Sequence, residues 1–186
     1  MTANPTEVRW GAFVHPLFDD RPLYLAATSQ GVCRITWPSE PFHTLRVWVD
    51  NHIPNPLLIE DPEQVAEPIR QLRQYAEGTR HSFDIPVDLR GTGFQTAVWR
   101  ALTGIPFGET RSYSDIAEAV GRPAAVRAVG AANGANPVPL IVPCHRVIGK
   151  NATLTGFRGG LNVKEKLLRL EGFHDYTRQG HARFQF

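Results

Sequence analysis

The sequence predicts an α+β protein: a small N-terminal sheet-plus-helix domain over residues 1–90, then a mostly helical C-terminal domain over 91–186 that contains a helix-turn-helix. Three observations carry this. Short apolar runs with polar punctuation fill the first half. Capping pairs, in which Ser or Thr is followed three residues later by an amide or acid, cluster in the second. The charge also changes sign, with 8 Lys and Arg against 12 Asp and Glu in residues 1–90, and 12 against 6 in residues 91–186. At 186 residues, 42% hydrophobic and 20% charged, the chain has apolar material for a real core and lacks the composition of a disordered tail. No apolar run approaches the roughly 20 residues of a membrane helix. Met1–Glu7 lacks the basic-then-apolar order of a secretory signal, and two cysteines, Cys33 and Cys144, fit a reducing compartment. A cytoplasmic protein without a membrane partner is expected.

In the first half, Val8–His15, Leu23–Ala27, Val32–Trp37 and Leu45–Val49 read as the sheet's apolar runs, separated by Asp, Pro, Ser and Gly. Thr28-Ser29-Gln30-Gly31 joins the second and third as a hairpin turn. Alternation sends Cys33, Ile35 and Trp37 to one core face, which makes Cys33 a small buried hydrophobe. A helix is expected over Pro62–Glu77, with Asp61 as N-cap and Gly78 as stop. Pro68 inside it implies a kink or a late start. Residues 81–93, with Pro86, Gly91 and Gly93, read as a linker.

In the second half, Thr92 and Gln95 form a capping box for a helix over Phe94–Leu102, with a stripe of Phe94, Val98, Ala101 and Leu102. Ser112 and Asp115 cap a short helix that turns Ile116, Ala117 and Val120 inward and stops at Gly121. Pro123 takes the first position of a third helix. Six Ala and two Gly lie between Ala124 and Ala135, and Arg127 is the only charged residue between Pro123 and Cys144. Ser112–Val120, Gly121-Arg122-Pro123 and Ala124–Asn133 form a helix-turn-helix in miniature. Such a small-residue helix can approach nucleic acid closely, with Arg127 reaching into it; a tightly packed helix pair with a surface Arg accounts for the same pattern. The basic half likewise fits a polyanion or an unevenly charged solvated surface. The last helix, Asn162–Glu171, has Asn162 and Glu165 as a capping pair, a stripe of Val163, Leu167 and Leu170, and Gly172 as stop. Glu171 opposes the helix dipole, which points to a tertiary partner or to a plain solvated Glu. His174–Phe186 is expected to be loosely held.

Residues 136–149 stand apart. Pro137 and Pro139 fix an extended start, Leu140-Ile141-Val142 reads as a buried strand-like run, and Pro143 turns the chain just before Cys144-His145-Arg146. The thiolate is the nucleophilic form of Cys, favoured by an adjacent imidazole and a basic field. Adjacent residues on an extended chain point apart, so a bridging water is expected to carry the proton to His145, with Glu171 orienting the imidazole as a relay. Taken alone, a Cys–His pair is more often a buried Cys beside a structural His.

Pro143-Cys144-His145-Arg146-Val147, preceded by Asn136-Pro137-Val138-Pro139, resembles the active-site signature of O6-alkylguanine-DNA alkyltransferases, the methylated-DNA–protein-cysteine methyltransferases. Ile105-Pro106-Phe107-Gly108-Glu109 leading into Ser112-Tyr113, and Ala125-Val126-Arg127-Ala128-Val129-Gly130, match that family's helix-turn-helix region. Gly159-Gly160-Leu161 and Leu170-Glu171-Gly172 match its C-terminal part. The resemblance covers about residues 92–172. Over residues 1–90 it is architectural, and implies a ribonuclease-H-like domain. It further implies a DNA-repair protein that flips O6-alkylguanine, with O4-alkylthymine as a further candidate, out of double-stranded DNA and transfers the alkyl group irreversibly to its own cysteine, once per chain. By resemblance Cys144 is the acceptor, His145 its base through a water, Glu171 the residue that orients His145, and Asn136 a holder of the Cys loop. Tyr113 donates to guanine N3, backbone groups around Val147 and Arg158 read the base edge, and Arg127, Ala128 and Asn133 contact DNA beside Tyr113. No cofactor and no metal is implied, and the protein acts as a monomer, with cooperative assembly on DNA left open.

Departures from the family pattern are Arg158, where some relatives carry a small polar residue, and Asn133 and Gly134, where some carry bulkier ones. Arg158 is expected to narrow or recharge the pocket mouth. Two other readings use the same residues. A lesion-sensing alkyltransferase-like protein has Trp at the acceptor position, which Cys144 argues against. A Cys–His–Glu hydrolase would turn over, lacks a convincing oxyanion-hole signal, and leaves the basic half unexplained.

Overall fold

In the computed structural model, which describes residues 4–178, the chain divides into two units between Arg90 and Gly91. The first is a four-stranded sheet in the order β3-β2-β1-β4. Strands β1 (Thr6–Phe13), β2 (Leu23–Thr28) and β3 (Gly31–Ile35) run antiparallel, and β4 (Pro56–Glu60) pairs parallel to β1. The β2–β3 hairpin turns at the expected residues. Helix α1 (Phe42–His52) makes the crossover between β3 and β4, as a parallel pairing requires. Leu45–Val49, expected in the sheet, lies inside this helix. Leu45 and Val49, four residues apart, are buried against Val8, Ala26, Cys33 and Ile53, while Arg46 and Asp50 face outward. The residues obey a period of 3.6 rather than 2. The strand that the sequence reading passed over is β4, whose Leu58 packs on the same core.

Helix α2 (Ala66–Ala76) starts late, as Pro68 allows. Asp61 still serves the approach to the helix, its carboxylate accepting from the Gln64 N–H at 3.2 Å. Cys33, Ile35 and Trp37 are all buried, as alternation required, but so are Val32, Arg34 and Thr36, so both faces of β3 are covered. The linker is docked. Val32 N–H donates to Pro86 O at 3.0 Å and Asp88 N–H to Val32 O at 2.8 Å, while the Asp88 carboxylate accepts from Thr28 Oγ1 and from Arg90. At Gly31 (φ +141°) a Cβ would stand 2.3 Å from Pro86 O, so this close approach requires glycine.

The second unit is built from α3 (Gly93–Thr103), β5 (Arg111–Ser112), α4 (Tyr113–Ala119), α5 (Val126–Gly134), β6 (Val147–Ile148) and α6 (Leu161–Leu170). Both capping boxes form, Thr92 with Gln95 and Ser112 with Asp115. Trp99, absent from the expected stripe of α3, is buried and donates from Nε1 to Ala132 O at 2.8 Å, which ties α3 to α5. Helices α4 and α5 are the helix-turn-helix. Pro123 sits in the turn ahead of α5, where the Ala125 N–H bonds Arg122 O at 2.8 Å, and the helix begins only at Val126. Strands β5 and β6 pair parallel, Arg111 opposite Val147.

Leu140-Ile141-Val142 is a turn rather than a strand. Leu140 has φ +72°, and Val142 N–H donates back to Val138 O at 2.9 Å, because the prolines on either side break any ladder. Helix α6 is not capped by Asn162: Gly160 takes the N-cap position, and Glu165 is drawn instead to Arg169, Tyr176 and Arg178. That attachment corrects the expectation of a loose tail as far as residue 178; residues 179–186 of the expected tail lie outside the described ones. No helix of the described residues is long and apolar enough to cross a membrane.

Candidate active site

Cys144, His145 and Arg146 form a single 3-10 turn between the Pro143 corner and β6, so all three are presented at once rather than along an extended chain. Cys144 is 3% exposed. Its loop is held by two asparagines. Asn136 Nδ2 donates to Val142 O at 2.8 Å while its Oδ1 accepts from Val138 N–H at 3.0 Å, and Asn133 Nδ2 donates to Cys144 O at 3.3 Å.

Glu171, just past the end of α6, is the centre of the site. Its Oε1 meets His145 Nε2 at 2.8 Å and Arg146 Nη2 at 2.9 Å; its Oε2 accepts from Arg146 Nε at 2.9 Å and from the Gly108 N–H at 3.2 Å. Arg146 completes its own set by donating from Nη1 to Ile105 O at 2.6 Å. Burial works against ionisation of Glu171, but the hydrogen bonds and charges of His145 and Arg146 outweigh it and hold the carboxyl far below its ordinary range. An ionised Glu171 can only accept, so His145 carries its proton on Nε2 and keeps Nδ1 as the basic nitrogen. Burial pushes the His145 pKa down against the pull of Glu171, which keeps the imidazole neutral and able to take a proton.

Lys164 is fully buried on α6, donates from Nζ to Val147 O at 2.6 Å, and lies 5.3 Å from the Phe157 ring centroid. Burial lowers its pKa to about 8, opposed by the charge of Cys144. The Cys144 thiol is pushed up by burial, while an Asn136 hydrogen bond and the charges of Arg158 and Lys164 pull it down. At Cys33 burial, with the charge of Asp88, outweighs the charges of Arg90 and Arg34. Burial carries its thiol up to about 12, and Sγ bonds Ala26 O, so only Cys144 has the surroundings of a nucleophile.

The remaining expected residues divide. Tyr113 Oη lies 2.7 Å from Thr155 Oγ1. Arg158 is bound by the carbonyls of Gly134 (3.1 Å) and Asn136 (2.8 Å), which pins its guanidinium beside the Cys loop. The Val147 carbonyl is already taken by Lys164. Arg127 and Ala128 are exposed on α5. Asn133, expected to contact DNA, is 4% exposed on the opposite side of that helix, where it serves the Cys144 loop. Lys164 and Thr155 were missed, and Arg146 was read only as part of the basic field beside Cys144, without its bonds to Glu171. The place of Arg146 next to the Cys–His pair was the available signal for those bonds. Lys164 sits on the buried stripe of α6, where periodicity calls for an apolar residue, and gave no signal of its own.

The model for the 6-O-methylguanine DNA methyltransferase, DNA binding domain family matches residues 93–173. The chain is 47% identical over 171 residues to the inducible methylated-DNA–protein-cysteine methyltransferase of Bacillus subtilis, covering 92% of this chain and 94% of that one. It is 56% identical over 115 residues to the methylated-DNA–protein-cysteine methyltransferase of Mycolicibacterium paratuberculosis, covering 62% and 70%. Among solved structures it is similar to the O6-methylguanine methyltransferase of Mycobacterium tuberculosis (TM-score 0.75, 41% identity, 88% and 92% covered). It is similar to Mycobacterium tuberculosis OGT in complex with DNA to nearly the same degree (TM-score 0.74, 41% identity, 89% and 92% covered).

Proposed function

Because the chain belongs to the methylated-DNA–protein-cysteine methyltransferases, a family of DNA-repair proteins that bind DNA and transfer alkyl groups, we propose that Cys144 is the acceptor for the O6-alkyl group of guanine in double-stranded DNA. The observation that carries this is the Cys144 turn, with His145 fixed by Glu171 at 2.8 Å. His145 Nδ1 takes the thiol proton through a bridging water. The thiolate attacks the alkyl carbon, an S–C bond forms as the C–O6 bond breaks, and the electron pair goes to the base. Tyr113 gives its phenolic proton to guanine N3 as the base leaves, and the imidazolium and tyrosinate that result balance one another. Lys164 and Arg158 supply the positive field that favours the thiolate.

Cys144 is buried, so the target base is flipped out of the duplex to reach it, at a cost of a few kcal/mol that is smaller for a weakly paired lesion. Arg127, exposed on the outer face of α5, fills the vacated stack, and Ala128 permits the close approach. The thioether is not reversed, so each monomer reacts once. The same geometry accepts O4-alkylthymine if Tyr113 finds an acceptor on that base.

The test is to mix the protein with excess duplex carrying one O6-methylguanine and measure intact mass, then map the peptide. One methyl per chain, at Cys144, is expected, and Cys144→Ala is expected to bind the duplex without gaining mass. Methylation elsewhere, or repeated turnover, overturns the assignment.

A further inference from the structure

Residues 149–155, which follow β6, reach the site through the Tyr113–Thr155 contact and are fastened by backbone hydrogen bonds at Gly149, Ala152 and Leu154. Gly149 N–H donates to Thr153 O at 2.8 Å and Ala152 N–H to Gly149 O at 2.9 Å, closing a turn in which Ala152 takes φ +55°. Thr177 then grips both sides of Thr153: its N–H donates to Ala152 O at 2.8 Å and its carbonyl accepts from Leu154 N–H at 2.9 Å. The flanking tail is bound to α6. Tyr176 Oη donates to Glu165 Oε1 at 2.9 Å, Arg178 Nε to Glu165 Oε2 at 2.8 Å, and Tyr176 packs with Phe173 on Ile148, Leu154 and Leu168. Nothing in the proton relay of Cys144, His145 and Glu171 requires this fastening. What it gives the site is a fixed position for Thr155, which is 8% exposed and 2.7 Å from the Tyr113 hydroxyl.

We propose that Thr155 is a positioning residue for the reaction, acting through Tyr113. Guanine N3 is an acceptor, so Tyr113 must donate its proton towards the base. Thr155 then has to be the donor to the tyrosine oxygen, which sets a one-way chain from Thr155 through Tyr113 to N3. Each hydrogen bond in such a chain polarises the next. As the proton leaves, charge grows on the phenol oxygen in a buried place; burial and Cys144 both oppose that charge, and the Thr155 hydroxyl stabilises it. The backbone grip of Thr177 keeps this donor aligned when the base enters.

This inference rests on the functional reading above, and the experiment separates the two. Single-turnover transfer from an O6-methylguanine duplex is followed for wild type, Thr155→Ser, Thr155→Val, Tyr113→Phe and the Thr155→Val/Tyr113→Phe double variant, with the maximal rate and the half-saturating DNA concentration measured separately. Thr155→Ser keeps the hydroxyl and is expected within about twofold of wild type. Thr155→Val is expected to lower the maximal rate about tenfold, the size of one hydrogen bond to a charged group, with the half-saturating concentration unchanged. In the Tyr113→Phe background it is expected to add nothing. The inference is overturned if Thr155→Val matches wild type, if Thr155→Ser is as slow as Thr155→Val, if half-saturation moves instead of the rate, or if the Thr155→Val loss persists without the tyrosine hydroxyl. A wild type that transfers nothing overturns the functional reading instead, and this inference with it.

Discussion

At Lys164 two demands on one residue conflict. A fully buried ammonium is costly, and its pKa has fallen to about 8 from the ordinary 10.5. Between those values the unfolded chain holds a proton that the folded chain has released. Lys164 therefore makes the protein more stable as pH rises from about 8 to 10.5 and works against the fold below that window. What the charge supports is the Cys144 thiolate, whose own burial resists ionisation. Lys164→Met is expected to slow transfer about tenfold below pH 8, by removing a charge that favours the thiolate, while duplex binding persists. In the wild type the rate stops rising with pH as the ammonium is lost near 8; in the variant it keeps rising from a lower start, and melting curves between pH 8 and 10.5 lack the wild type's gain. Equal rate–pH profiles would remove Lys164 from the chemistry. The residue scale is also where the sequence was most and least informative. Cys144, His145 and Glu171 were legible from local chemistry together with the family signature. Arg146 was not, because its role depends on a carboxylate 25 residues away and a carbonyl 41 residues back.

Helix α5 shows how one element divides its labour by face. Val129, Ala132 and Asn133 are buried, while Arg127, Ala128 and Ala131 are exposed. Ala132 carries the carbonyl that receives Trp99, at 2% exposure, so Ala132→Leu is expected to cost about 1–3 kcal/mol by overpacking, read as a lower denaturation midpoint. Arg127→Ala, on the outer face, is expected to change stability by less than about 0.5 kcal/mol. It should nevertheless weaken transfer from duplex far more than reaction with a free O6-alkylguanine base, which needs no flipping; equal losses on both would discard the stack-filling role. The sequence marked this helix correctly by its small residues but put Asn133 on the wrong face, because a run so poor in large apolar side chains has no stripe to orient it. At Leu45–Val49 the opposite happened. Five residues of mostly apolar character satisfy a strand or a helix equally, and the parallel pairing of β1 with β4, which demands a crossover helix between them, is a tertiary fact.

Across the whole chain the charge division falls at the structural one. The unit up to Arg90 carries the acidic excess and the unit from Gly91 the basic one. If the basic unit meets DNA through phosphates, each neutralised phosphate contributes about 0.9 to the slope of log affinity against log salt. Duplex affinity is then expected to fall at least about tenfold between about 50 and 200 mM salt, the loss that two such contacts produce. A flat salt profile would assign the charge excess to solvation alone.

Glu171 adds an order in time. It follows His145 by 26 residues and closes the site only from the end of α6. A ribosome therefore delivers the thiol, the imidazole and the arginine well before the carboxylate that organises them. Until α6 docks, Cys144 stands beside a histidine that Glu171 has not yet aimed. If Cys144 is the acceptor, its reactivity towards an alkylated base therefore also reports that α6 has docked and brought Glu171 to His145.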